Sequence, residues 1–286
     1  MASGTTVVSV GAYDGFSARL VERAGFDSVY VGSYATEAAA FGTPDLALMG
    51  KSERLWIGRN IAKAVDIPVI VDAEEGYGNA VNVIETVRDF EAAGIAGIHL
   101  DDEGLPSKCP FIPGIPKNQL IDTDEMCGKL EAAASARQDP DFLIIARSDV
   151  IGTVSLEEYY EQNLMEEVVR RSRAYAEAGA DAVFVMALTE EEVHYFAREI
   201  DAPLVGIFAT VEPLPIAVFQ DAGYPMVIGS LVGIYAAAQG LLKAYTKLKE
   251  TGDWNAIQEE LINDEQFMDI VGLDAYQRLY KEFRIR

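Results

Sequence analysis

The sequence predicts an α/β chain closed into a (β/α)8 TIM barrel with additional C-terminal helices, and three observations carry that prediction. Short apolar, β-branched runs recur along the chain, eight in all. Each is followed by a longer segment rich in Ala, Glu, Arg and Leu at helical spacing. Several of those segments end in a glycine just before the next run, as in ERAGFDSVYV, EAAGIAGIHL, AEAGADAVFV and QDAGYPMVIG. Glycine after the last helical turn takes the left-handed conformation that stops a helix without a Cβ clash. Continuously apolar strands alternating with helices imply a parallel sheet covered on its outer side, and eight such units imply closure.

In chain order, TVVSVGAYD ends in Asp14 and DSVYVGS places Gly32 and Ser33 at its end. IPVIVDAE brings Asp72 and Glu74, GIHLDD brings Asp101 and Asp102, and FLIIARSD brings Arg147 and Asp149. AVFVMAL, APLVGIF and PMVIGS complete the set. An open doubly wound sheet is the competing architecture, and no G-x-G-x-x-G follows the first strand to support a dinucleotide-binding version of it. After residue 250 the pattern becomes TGDWNAIQEELINDEQFMDIVGLDAYQRLYKEFRIR, helical and aromatic with no strand. The expected organisation is a catalytic barrel over residues 1–250 and a helical extension over 251–286, packed on the barrel or on a neighbouring subunit.

Half of the 286 residues are hydrophobic, enough for a substantial core. A formal net charge of -23 repels polyanions, which argues against nucleic acid and anionic membranes as partners. An anionic substrate then needs a local positive centre. Two cysteines, Cys109 and Cys127, fit a reducing setting, and no stretch has the length of a membrane span, so a soluble, cytoplasmic protein is expected.

Chemistry in a parallel barrel sits at the C-terminal ends of the strands. Acids from the third and fourth strands converge there, and carboxylates held together repel unless a cation sits among them; oxygen ligands suit Mg²⁺ or Mn²⁺. Helix capping explains Asp102, Glu75 and Asp149 equally well. The segment EGLPSKCPFIPGIPKNQLI after the fourth strand is long and structureless, the mark of a lid or binding loop. Within it Lys108 adjoins Cys109, a route to a lowered thiol pKa and a reactive cysteine. Cys127 reads as a packing residue, His194 as a helix-surface residue, and His99 as a packed residue below the acids. With only these two histidines, a multi-His zinc site or a Ser-His-Asp triad lacks material.

The ordered segments VDAEEGYGNAVNVIETVRDFEAAGIAGIHLDDE, LPSKC and IIARSD, with GAYDGFSARLVERAGFDSVYV and PDLALM before them, closely resemble the isocitrate lyase and phosphoenolpyruvate mutase superfamily. Its signatures are D-A-D-x-G-Y-G-N, E-D, P-K-[KR]-C-G-H and I-A-R-[TS]-D, and the resemblance spans about residue 10 to about 245. It implies a (β/α)8 barrel with Mg²⁺ or Mn²⁺ acting on a small carboxylic acid, in a homotetramer built from dimers that exchange a C-terminal helix. It also implies Asp72 as direct metal ligand, with Glu74, Asp101 and Asp45 holding the metal's waters. Arg147 falls on the arginine that contacts substrate oxygens. Tyr30, Gly32 and Ser33 fall on the segment that holds the substrate carboxylate, in the order Y-V-G-S instead of Y-x-S-G. Lys108 joins the substrate-binding set, and Tyr30 is the candidate acceptor of the substrate's hydroxyl proton.

Cys109 matches the cysteine that protonates the departing carbanion in the lyases, whereas phosphonate mutases usually carry asparagine there. Ser107 replaces the motif's first lysine, and Pro110 and Phe111 replace its Gly-His pair. Met186 stands where lyases for a second carboxylate carry glutamate, and GIFAT, residues 206–210, replaces a V-N-M-T-E segment. The resemblance therefore implies a methylisocitrate lyase-like or 2-alkylmalate lyase-like enzyme that breaks or makes the C2–C3 bond of a substituted 2-hydroxy acid, with a less polar or bulkier C3 substituent than isocitrate has. A 2-oxo acid hydrolase, decarboxylase or phosphonate-forming mutase on the same metal site is the alternative, and a non-catalytic binding barrel is a third reading.

Overall fold

A computed structural model describes residues 5–208 and 213–284. The chain runs β1 (Val7–Gly11), α1 (Gly15–Arg23), β2 (Ser28–Val31), α2 (Ser33–Phe41), α3 (Lys51–Ala62), β3 (Val69–Asp72), α4 (Ala80–Ala92) and β4 (Gly97–Asp101). It continues through α5 (Thr123–Ala136), β5 (Leu143–Ser148), α6 (Leu156–Glu161), α7 (Met165–Glu177), β6 (Ala182–Val185), α8 (Glu190–Glu199), β7 (Leu204–Ile207), α9 (Ile216–Asp221) and β8 (Met226–Gly229). Three more helices follow: α10 (Val232–Thr251), α11 (Asp264–Ile270) and α12 (Leu273–Glu282). The strands pair in sequence order, all parallel, and β8 closes on β1 through Val7↔Met226 and Val8↔Val227. The expected barrel is the observed one. Its helix-ending glycines take positive φ, as Gly94 does at 82°.

Strand side chains alternate, so every second residue points into the barrel. Tyr30, Ile70, Ile145, Phe184, Val205 and Met226 form one buried cluster that fills the interior. Two larger apolar clusters seal the strands against the surrounding helices. The same alternation carries one step further to the strands' C-terminal ends, where it delivers Asp72, Asp101, Arg147 and Ile207 above that plug. The barrel thus builds a polar floor without leaving it a leak to the other end.

Beyond the barrel, none of the 20 residues of α10 is buried. The chain then turns back, and α11 lies on α1, with Phe16 and Phe267 ring centroids 5.4 Å apart and Arg23 paired to Asp269 at 2.5 Å. Among the described residues no helix is long and apolar enough to cross a membrane.

Candidate active site

Asp72 ends β3 almost fully buried. Its Oδ2 accepts from the Ser33 amide (3.2 Å) and hydroxyl (2.8 Å), and its Oδ1 from the Glu74 amide (2.9 Å). Burial opposes ionisation, but His99 when protonated, Arg54, Arg147 and the Glu74 amide together hold this carboxyl below the usual range. The Ser33 hydroxyl also reaches Asp45 Oδ2 at 3.2 Å and so links the two acids. Burial, with Asp72 and Glu37 beside it, pushes Asp45 up to about 7. Glu74, at φ 51°, pairs with Arg54 Nη2 at 2.9 Å, and Asp101 lies 3.6 Å from Arg147 Nη1. Burial among neighbouring acids raises both carboxyls well above their ordinary values.

The sequence-predicted metal acids therefore do come together, in two adjoining groups. Asp72, His99 and Asp101 have ligand atoms within 4.8 Å of one another, and so do Glu37, Asp45 and Glu74. The third member of each group is already engaged. His99 offers Nδ1 to Asp101 at 2.7 Å and receives the Tyr30 hydroxyl on Nε2 at 2.9 Å. Glu37 accepts the backbone amides of Leu46, Leu48 and Met49, which shapes the loop that presents Asp45. Asp72, Asp45, Glu74 and Asp101 remain as a mutually repelling set of hard oxygen donors, a composition that suits a divalent cation.

Tyr30 sits stacked on His99, with ring centroids 5.8 Å apart, and burial raises its phenol well above 10. Its hydroxyl lies 2.9 Å from His99 Nε2, and the raised phenol favours a neutral Tyr30 at the site. Gly32 precedes α2 and lines the cavity; a Cβ there would meet the Tyr30 ring at 2.6 Å, so no larger residue fits. Arg147 donates from Nη2 to Asp149 Oδ1 at 2.9 Å, and its guanidinium lies 5.2 Å over the Phe184 ring. Its Nε also approaches Asp149 Oδ2 at 2.9 Å, at an angle that makes an ion pair without a hydrogen bond.

The lid folds over this floor. Glu103 and Leu120 form an antiparallel bridge at its base, and Asn118 ties Glu103 Oε1 to the Lys108 carbonyl. Cys109 donates its amide to the Asp45 carbonyl at 3.3 Å, and the Ser107 hydroxyl donates to Glu74 Oε2 at 3.1 Å. Cys109 thereby lines a cavity of about 410 Å³ together with Asp72, Asp45, Ser33, Arg147 and Tyr30. Its other walls are Phe111, Ile112, Met186, Ile207 and Leu231. One expectation fails here. Burial, with Asp45 adding to it, pushes the Cys109 thiol up to about 11, the opposite of the expected lowering. Lys108 is not among the lining residues; its backbone amide donates to Glu103 at 3.0 Å and its carbonyl accepts from Asn118 at 2.7 Å.

Other acids resolve one by one. Asp14 caps α1 by accepting the Ser17 amide at 2.7 Å. Glu75, which helix capping would have explained equally well, is only 3 % exposed, with the Ser107 hydroxyl 3.4 Å away. Asp102 binds the Asp149 amide, Tyr175 and Arg171 as an anchor under the lid. Of the 206–210 segment, Ile207 lines the cavity, whereas Ala209 and Thr210 lie outside the described residues. Arg54, which sequence reading missed, is fully buried; its signal was a cation in phase with the buried Ile57, Gly58 and Ile61 of α3.

Residues 1–249 match the family model described as phosphoenolpyruvate phosphomutase. Over 277 residues the chain is 34% identical to 2,3-dimethylmalate lyase of Eubacterium barkeri, covering 96% of this chain and 92% of that one. The crystal structure of phosphoenolpyruvate phosphomutase from Streptomyces platensis subsp. rosaceus superposes with a TM-score of 0.88 at 34% identity, covering 98% of this chain and 95% of that one. A phosphonopyruvate hydrolase crystallised with oxalate and Mg²⁺ superposes with a TM-score of 0.84 at 29% identity, covering 98% and 94%. With a closed barrel, converging acids and a cysteine-bearing lid all in place, the chain belongs to the phosphoenolpyruvate mutase/isocitrate lyase superfamily.

Proposed function

We propose that the chain is a divalent-metal-dependent lyase that breaks, or in reverse forms, the C2–C3 bond of a substituted 2-hydroxy acid. The observation that supports it most is Cys109 lining the same cavity as Asp72 and Arg147, where burial favours the protonated thiol. Asp72, with Asp45, Glu74 and Asp101 around it, would hold Mg²⁺ or Mn²⁺, and such an ion supplies charge neutralisation for a carboxylate and a developing 2-oxo oxygen. Arg147 binds the same oxygens, and the Gly32 and Ser33 segment at the N-terminus of α2 orients the carboxylate. Tyr30 contacts substrate as a neutral hydroxyl. The lid excludes water, and Cys109 Sγ hands its proton to C3 of the departing fragment.

The test is incubation with Mg²⁺ and a panel of 2-hydroxy acids varied at C3, 2-alkylmalates included, with release of pyruvate or glyoxylate as readout. Cys109→Ser is expected to lower kcat by about 10²-fold or more. No 2-oxo acid from any member, with Cys109→Ser indistinguishable from wild type, would sink the reading. The likeness to phosphonopyruvate hydrolase and phosphoenolpyruvate phosphomutase supports a second reading on the same acids. Phosphonopyruvate or oxaloacetate turnover that survives loss of Cys109 would select it.

The exposed α10 further supports a homotetramer of paired chains that exchange a helix, since Leu241, Leu242 and Tyr245 are left uncovered in the single chain. Two free cysteines fit a cytoplasmic setting.

A further inference from the structure

The cavity has two halves that differ in charge. Asp72 and Arg147, from β3 and β5, line one half with Asp45, whereas Met186, Ile207 and Leu231 come from the ends of β6, β7 and β8 across the mouth. Among the described residues Arg147 is the one cation lining this space. The undescribed stretch 209–212 reads Ala-Thr-Val-Glu and adds none. Arg54 is fully buried behind Glu74 and does not line the cavity. Arg147 itself is held at the polar end by Asp149 and Asp101. Neutral donors also line the cavity: Ser230 just after β8, and the pair Tyr34 and Tyr235, whose hydroxyls lie 3.3 Å apart.

This distribution bears on how the carbanion is stabilised. Breaking C2–C3 leaves an electron pair on C3, and that pair needs an electron-withdrawing neighbour at C4. A C4 carboxylate would become a dianion in a desolvated half-cavity with no cation, which is costly. A C4 ketone becomes a monoanionic enolate, and hydroxyl donors suffice for its oxygen.

We propose that the preferred substrates carry a single carboxylate and an uncharged C4 carbonyl with an alkyl tail, that is, 2-hydroxy-4-oxo acids; this rests on the lyase reading. The C2 hydroxyl proton passes to a carboxylate of the floor as C2–C3 breaks and the 2-oxo acid forms. The electron pair moves into the C3–C4–O enolate, and C3 then takes the proton from Cys109 Sγ, releasing a ketone. The floor's proton returns to the thiolate through solvent, so no oxidant or reductant is consumed. Met186 on the barrel and Phe111 on the lid set the tail's shape.

Two near-isosteric probes separate the alternatives. Racemic 2-hydroxy-2-methyl-4-oxopentanoate and racemic 2-methylmalate differ only in a methyl group replacing a carboxylate oxygen at C4, and each yields pyruvate on cleavage. With Mg²⁺ and the full-length protein, the oxo acid is expected to show kcat/KM at least about 100-fold higher, after subtraction of the enzyme-free rate. Met186→Lys, which adds a cation to the apolar half, is expected to shift that ratio towards 2-methylmalate. Equal or better cleavage of 2-methylmalate by the wild type overturns this specificity and leaves the lyase reading standing. Pyruvate from neither probe, nor any 2-oxo acid from the wider panel, removes both.

Discussion

Cys109 must keep its proton until the carbanion forms, and its burial under the lid provides for that. The thiol is moved from the usual 9.0 up to about 11. The sign of the linkage follows: a closed lid over a neutral thiol is favoured below pH 9.0, and that contribution is lost as pH rises through about 11. Iodoacetamide reacts with the thiolate, so Cys109 should alkylate about 100-fold more slowly than an ordinary thiol at neutral pH, with the rate climbing through about pH 11. Peptide mapping by mass spectrometry reads this directly; fast labelling at pH 7 contradicts it. Arg54 makes a second prediction at this scale. Its 2.9 Å pair with Glu74 is buried on both sides, so Arg54→Ala strands a carboxylate and should cost about 3–5 kcal/mol in urea unfolding. Replacing both partners with methionine should recover most of that loss. Asp72 was legible in the sequence because it interrupts an apolar strand at its C-terminal end. Arg54, Glu37 and His99 were not, because their partners lie on other elements and only the closed barrel brings them together. Glu75 was misread for the same reason, as the lid that covers it could not be placed from its own residues.

At the scale of elements, the alternation of apolar runs and helices was enough to place all eight strands, since each needs only its local pattern and a closing neighbour. The strands are shorter than those runs. The first stops at Gly11 because Asp14 and Ser17 turn the following residues into a helix cap. The lid was legible as a lid and not as a shape: Glu103, Asn118 and Ser107 are unremarkable in sequence and become its fastenings only when folded. One contact tests whether this closed shape matters. A Cβ at Gly152, just after β5, would sit 2.6 Å from the Pro110 Cβ beside Cys109. Neither atom belongs to a flexible chain end, so Gly152→Ala should push the lid away from the floor. The expected result is faster proteolysis between residues 104 and 117 and a fall in kcat of roughly 10-fold, in keeping with the cost of small misplacements at reacting groups. Unchanged cleavage and kcat would show that the lid absorbs the methyl group.

For the whole molecule, the barrel satisfies its own core, while α10 does not. Val232, Tyr235, Leu241, Leu242 and Tyr245 are all at least 49 % exposed along one helix, and Leu242 reaches 66 %. Covering a side chain of this size is worth about 1.5–3 kcal/mol, so five together offer on the order of 10 kcal/mol. That is comparable with the roughly 4–15 kcal/mol that association costs in lost freedom. An exchange in which each of two chains covers the other's α10 doubles the gain for one association, which is why a reciprocal pairing suits this helix better than a one-sided contact. Light scattering should therefore find the wild type at the mass of two chains or a multiple of two, and not as the single chain. Leu241→Lys with Leu242→Lys places two charges in the covered face and should shift the mass towards the single chain. Because Tyr235 begins this same helix and lines the cavity, the dissociated variant should also lose activity while retaining its circular dichroism spectrum. A variant that dissociates with kcat/KM intact would separate assembly from catalysis and restrict α10 to a structural role.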